Sequence, residues 1–217
     1  MDSYAAIFAD SNGSEHTTIM NDGETLRMEI RGLTFVGKDF DALEPPQNVT
    51  ADQLAQFRLS RNELCSCRIQ CEIPITIQDN DARKDGCLSV EVILGEPTQT
   101  GALDREDLRI TLTCDHGKYS GSGKSGWFED ELLEIQEQLP ADVYVVACIN
   151  CLFSDYSPYG HGAFGCMMCF RNLKTEYLKV KTKKEFWSVH DRYDRMVQET
   201  YRCPQFERRI PGTGYRG

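Results

Sequence analysis

Nowhere in these 217 residues is there an apolar run long enough to cross a bilayer. The start, MDSYAAIFADSNG, has neither the basic residues nor the continuous apolar stretch of a secretory signal. Neither membrane insertion nor export is expected, and the cytoplasm is the expected compartment. Low-complexity tracts and fixed-period repeats are also missing, which excludes linkers and solenoids. Positive charge is scarce, with 24 Lys and Arg against 34 Asp and Glu and a net charge of −10. That argues against general affinity for nucleic acid or anionic membrane, since both need a positive field. Histidines number four, and His16, His116 and His190 show no ligand spacing. A complete nucleotide-binding P-loop is lacking too. DHGKYSGSGKSG contains Gly-Lys-Ser, but the glycine required five positions before Gly123 is replaced by Lys118. An exposed glycine loop is expected there instead.

What the chain does have is length, strand patterning and cysteine. At this size about 70% of the unfolded surface can be buried, so no disulfide staples are needed. Ten cysteines in a reducing compartment read as buried thiols, metal ligands or redox groups. Charge is unevenly spread. From Arg171 to Gly217 twelve Lys and Arg face six Asp and Glu, a net +6, leaving −16 on residues 1 to 170.

The first hundred residues read as strands joined by turns. LRMEIRG alternates Leu26, Met28 and Ile30 with charged residues, and Asn21 to Gly23 is a turn signal before it. Thr50 is a candidate N-cap for a short helix in TADQLAQF. From Cys65 to Ile77 the alternation is unbroken, placing Cys65, Cys67 and Cys71 on the buried face as small core thiols. Pro74 within that run points to an edge or a bulge. CLSVEVIL and LRITLTC are two more strands, with Asp79 to Gly86 a polar loop between the first and second. From Trp127 the period turns helical, with Phe128, Leu132, Ile135 and Leu139 on one stripe, Ser125 as N-cap and Pro140 as stop. VYVVACI then reads as a strand covered on both faces. Further on, YLKVKTK reads as an edge strand, KEFWSVHDRYDRMVQETY as one face of a helix, and the end, FERRIPGTGYRG, as a frayed tail or one docked by Tyr215 and Arg216.

Cys148, Cys151, Cys166 and Cys169 form two Cys-x2-Cys pairs fourteen residues apart, a spacing that suits four thiolates on one tetrahedral zinc ion. Two features count against the simple double pair. Leu152 and Phe170 stand where zinc knuckles carry Gly, and if GCMMCFR is a strand, Cys166 and Cys169 point to opposite faces. Cys203, before Pro204, competes with Cys166 for the fourth position. Between the pairs, SDYSPYGHGAFG offers Asp155, Tyr156, Tyr159 and His161 as a candidate binding surface, with Tyr215 and Arg216 beside it.

SDYSPYGHGAFG, CFR with its following Tyr, and QETYRCPQFERRIPGTGYRG resemble an uncharacterised bacterial family carried under a domain-of-unknown-function label. The resemblance lies mainly from Cys148 onward. It implies a cytosolic bacterial protein of unassigned activity whose shared cysteines are Cys148, Cys151, Cys169 and Cys203, a pattern from which Cys166 departs.

The expected fold is α+β, with a largely antiparallel β part over residues 1–114 and an α/β part over 115–217 that bears the cysteine cluster, the two sharing a core. The expected function is a non-enzymatic binding protein with structural zinc, of the acidic immunity or antitoxin kind, whose partner would be a basic protein. The enzymatic alternative is a thiol- or metal-dependent hydrolase or redox protein using Cys151, His161 and Asp155. A nucleic-acid-binding zinc ribbon ranks third, because the basic tail would have to outweigh the acidic body.

Overall fold

The computed structural model describes residues 1–216. The fold is α+β and mostly antiparallel sheet. In chain order the elements are β1 (Asp2–Asp10), β2 (Gly13–Asn21), β3 (Leu26–Ile30), β4 (Leu33–Gly37), α1 (Ala51–Leu54), β5 (Leu59–Ser60), β6 (Glu63–Leu64), β7 (Cys67–Asp79), β8 (Ala82–Leu94), β9 (Glu106–Cys114) and β10 (Gly117–Ser120). They continue as α2 (Phe128–Gln138), β11 (Val143–Val145), β12 (Ser154–Asp155), β13 (Met167–Cys169), α3 (Lys174–Tyr177), α4 (Lys183–Phe186) and β14 (Arg195–Val197). One nine-stranded sheet runs β10-β9-β8-β7-β1-β2-β3-β4, with β11 pairing on β7 as well.

Alternation makes this sheet one-sided. Tyr4, Ala6 and Phe8 of β1, Leu26, Met28 and Ile30 of β3, and Cys67 through Ile77 at odd positions of β7 are buried. The N-terminal segment, in which sequence patterning indicated no element, is therefore a central strand. The β7–β8 hairpin is longer than expected. Only Asn80 and Asp81 turn, and Arg83 to Gly86 belong to β8 rather than to a polar loop, paired across from Gln78 to Ile75. Asn80 takes the left-handed backbone such a tight turn needs, at φ 49°.

Pro74 is neither on an edge strand nor at a bulge. On the side of β7 away from β8, Cys67 to Cys71 pair with β1 and Ile77 to Asp79 with β11, so residues 72 to 76 face a gap between two partners. The Thr76 carbonyl points to that side, where Val146 N–H donates to it (2.8 Å). Pro74, two residues earlier, aims its nitrogen the same way, and the missing N–H costs the sheet nothing.

α2 lays Phe128, Leu132 and Ile135 on the buried face of the sheet. Phe128 stacks with Phe40 at 5.8 Å and meets Phe164 at 4.3 Å. Its N-cap is Trp127 rather than Ser125, without a side-chain cap. Ser125 instead accepts from the Trp127 N–H (3.1 Å). The glycine loop ahead of it is fastened rather than free. Gly123 N–H donates to Glu131 (2.8 Å) and Ser122 N–H to Glu134 (2.6 Å), so amides that a P-loop turns on phosphate are occupied by helix carboxylates. Thr50 caps α1 in a capping box with Gln53.

The main core runs past Cys114 to take in α2, β11, Ile149 and Phe164. A second, smaller core gathers Leu152, Phe153, Phe170, Leu173, Tyr177, Val180, Phe186 and Val189. Several expectations fail in this region. Only three residues of VYVVACI are strand, and Cys148–Asn150 form a 3-10 turn. YLKVKTK is the end of α3 and the coil after it. The long helix expected over 184–201 is the four-residue α4, a run of turns and β14. Here pairing overrides period. Asp194 N–H donates to the Cys169 carbonyl (2.7 Å), Asp194 also pairs with Arg171, and residues 195–197 are then zipped onto β13. Among the described residues no helix is long and apolar enough to cross a membrane.

Candidate functional site: a cysteine cluster and its latch

Cys148 and Cys151 bracket the 3-10 turn, with the Cys151 N–H donating to the Cys148 carbonyl at 3.0 Å. Cys169 closes β13, and Cys203 follows β14 on a segment that reaches back so that its Tyr201 carbonyl accepts from Cys148 N–H (3.0 Å). Strand pairing and this return bring the four thiols into one neighbourhood. Burial, and after it the sulfurs of Cys151, Cys203 and Cys169, push the Cys148 thiol well above its ordinary value, while Arg195 pulls it back. Cys169 is raised by burial too, against the Arg171 backbone N–H, which donates to its sulfur. As they stand, no three His, Cys, Asp or Glu side chains among the described residues are arranged to hold a metal ion. All ten cysteines are free thiols.

Two arginines face this cluster. Arg195, opposite Cys169 across the β13–β14 pair, lays its guanidinium over Tyr201 at 4.5 Å, and its Nε and Nη2 are buried with no hydrogen-bond partner. Arg171 pairs with Asp194 at 2.5 Å and has Cys169 and Cys203 among its charged neighbours. Sequence reading saw a basic tail and missed these two. The available signal was one arginine two residues after a candidate ligand and another in the apolar stripe Tyr193 to Val197.

Cys166 lies elsewhere. Its sulfur accepts from Gly162 N–H (3.2 Å), and its charged neighbours are Asp39, Glu199 and Asp41. That second neighbourhood is acidic and buried. Glu199 accepts from the Tyr156 hydroxyl (2.9 Å) and from Gly165 N–H (2.8 Å), and burial raises its pKa from 4.5 to about 7. Asp39 accepts from Phe40 and Phe164 N–H at 2.7 and 2.8 Å, and burial, then Asp41, lift it well above the usual range.

The chain belongs to the family of unknown function DUF6304. The family model matches residues 2–154, so the shared part is the main sheet, α2 and the first cysteine pair, not the C-terminal third on which the resemblance was expected to rest. No curated protein and no solved structure matches the chain. The match ends before Cys169 and Cys203, and the family brings no assigned residues to either neighbourhood.

The expected binding surface is largely internal. Asp155 and Tyr156 are buried, because polar groups arriving from the C-terminus cover them. Asp155 accepts from the Tyr177 hydroxyl (2.7 Å), Tyr156 N–H (2.8 Å) and Arg216 N–H (3.2 Å). Burial raises its pKa against these donors. Arg209 donates to the carbonyls of Cys151 (3.0 Å) and Ser154, and Arg216 lies 3.5 Å from Glu129 and over the Tyr156 ring. Tyr215 meets Phe186 edge-on at 5.4 Å. The tail is thus a latch across the second core. Of Asp155, Tyr156, Tyr159 and His161, Tyr159 alone is exposed, at 50%. His161 stacks on Tyr156 at 4.2 Å, with its Nε2 3.7 Å from Glu129 rather than on Asp155. Cys151, His161 and Asp155 share no hydrogen bond among the described residues, so no nucleophile, base and orienting acid are aligned there.

Proposed function

We propose that the protein is a non-catalytic cytosolic binding protein whose C-terminal part is held by structural zinc on Cys148, Cys151, Cys169 and Cys203. The observation that carries this reading is the Arg195 guanidinium, buried with Nε and Nη2 unpartnered beside these sulfurs. Four neutral thiols leave that cation uncompensated, at a cost of several kcal/mol. Zinc with four thiolates has net charge −2, which Arg195 would offset in part, Arg171 being already paired with Asp194. The sulfurs would turn about their Cα–Cβ bonds to reach one ion. The Arg171 N–H on the Cys169 sulfur is the outer-shell donor such a ligand uses. Cys203 is preferred to Cys166 because it neighbours both Cys148 and Cys169, whereas Cys166 lies among carboxylates. A four-thiolate centre has no open position for water or substrate, so it organises a surface rather than a reaction.

Elemental analysis of protein purified without chelator tests this. One zinc per chain is expected, retained in Cys166→Ser and lost in Cys203→Ser. Metal-free protein that takes up no zinc under reducing conditions refutes the reading, as does loss of zinc in Cys166→Ser alone.

A further inference from the structure

The second core carries on its outside a group of rings that nothing in the fold uses. Trp187, just after α4, is 64% exposed and Tyr159, from the loop between the cysteine pairs, 50%. The two meet edge-on at 5.1 Å, and His190 completes the group, stacked on Trp187 at 5.4 Å and edge-on to Tyr159 at 5.9 Å. Lys183 holds its ammonium 4.2 Å from the Tyr159 ring centre. Leaving large rings in water this way forfeits burial that the neighbouring Phe186 obtains in full.

Charge around the rings is the reverse of the protein's total. Between Lys179 and Arg192 there are four lysines and one arginine against Glu185 and Asp191, in a chain of net −10. All four lysines are exposed. Among the described residues Lys179, Lys183 and Lys184 have no carboxylate within ion-pair distance, and Lys181 donates to the Gly212 carbonyl at 2.7 Å. Of the two acids, Glu185 is engaged by the N–H groups of Lys181 and Thr182 at 2.9 and 3.1 Å, and Asp191 lies 2.9 Å from His190 Nδ1.

From this juxtaposition we infer that the Tyr159–Trp187–His190 platform binds a short stretch of single-stranded nucleic acid, its bases stacking on the exposed rings and its phosphates meeting Lys179, Lys183 and Lys184. The inference rests on the reading of the protein as a binding protein and names its ligand class. Flat rings ringed by unpaired cations are what base and phosphate together require. An acidic peptide would use the lysines and leave both rings in water. Two exposed rings accommodate about two or three nucleotides, and the acidic body repels a longer polyanion, so binding is short-footprint and salt-sensitive.

Trp187 supplies the readout, because the chain has two tryptophans and Trp127→Phe leaves it alone. Titration with a short oligothymidylate in 50 mM salt should quench its fluorescence. Affinity should fall about tenfold on going to 200 mM salt and about tenfold again in Tyr159→Ala. In the otherwise unchanged protein, Trp187→Ala should abolish binding measured by anisotropy of a labelled oligonucleotide. Both side chains are exposed, and near-UV circular dichroism verifies the fold before each titration. Absence of quenching, equal binding of polyglutamate, or unchanged affinity in Tyr159→Ala or Trp187→Ala overturns the inference. Zinc content of the same samples reports on the zinc reading separately.

Discussion

Replacing Glu199 with Gln should remove about 2.5 kcal/mol of the stability loss that the protein undergoes between pH 5 and pH 8. Glu199 is fully buried, with one carboxylate oxygen on the Tyr156 hydroxyl and the other on Gly165 N–H, and burial raises its pKa from 4.5 to about 7. A raised carboxyl keeps its proton in the folded state over a range where the unfolded chain has released it. Its contribution is therefore fully present below pH 4.5 and lost as pH rises toward 7. The gap is worth about 3 kcal/mol at the plateau, of which about 2.5 kcal/mol falls between pH 5 and pH 8. Gln fits the same site, its oxygen accepting from Gly165 and its amide donating to the Tyr156 oxygen. Asp41 and Asp155 are also raised by burial, but they titrate in both proteins and cancel in the difference, whereas Asp39 and Glu129, which Glu199 repels, ionise more easily in the variant and add to its gain at high pH. Urea unfolding at pH 5, 6, 7 and 8 should show the variant gaining on the parent by about 2.5 kcal/mol across the series. Parallel stability curves would refute the argument.

Two further substitutions test the seam and the latch. Gly23 has φ +90°, and a Cβ there would overlap the Tyr201 ring, while its carbonyl accepts from Gln198 N–H at 3.0 Å. Gly23→Ala should cost about 2 kcal/mol or more in urea unfolding, and a cost below about 0.5 kcal/mol would show that this contact does not join sheet and tail. Arg209→Met keeps the apolar stem but removes the donors to Cys151 and Ser154, so trypsin should cut the tail at Arg208 several-fold faster. An unchanged cleavage rate would mean that Tyr215 and Arg216 hold the latch alone.

Strand reading succeeded where burial is one-sided. In β7 a residue's face is set by its parity, so Cys67 and Cys71 could be placed in the core from local pattern, whereas Cys65, also buried, lies ahead of the strand beyond Ser66 at φ 52°. The same logic failed after Cys169. The stripe Phe186, Val189, Tyr193, Met196, Val197 suits a helix, but Asp194 is taken by Arg171 and by the Cys169 carbonyl, and the chain is drawn into a strand instead. Local period cannot report a partner more than twenty residues away.

Composition, alternation and spacing were by themselves enough to decide an α+β fold dominated by antiparallel strands, the buried face of β7 and the first cysteine pair as a unit. All of these depend on residues close in the chain. Tertiary structure decided what spacing left open between Cys166 and Cys203, bringing Cys203 beside Cys148 and Cys169 and Cys166 beside Asp39 and Glu199, and it alone decided that two guanidinium nitrogens of Arg195 are buried near the thiols and that the basic tail is a latch. Each of those outcomes depends on which distant backbone groups pair, and pairing is settled by the whole chain closing on its core.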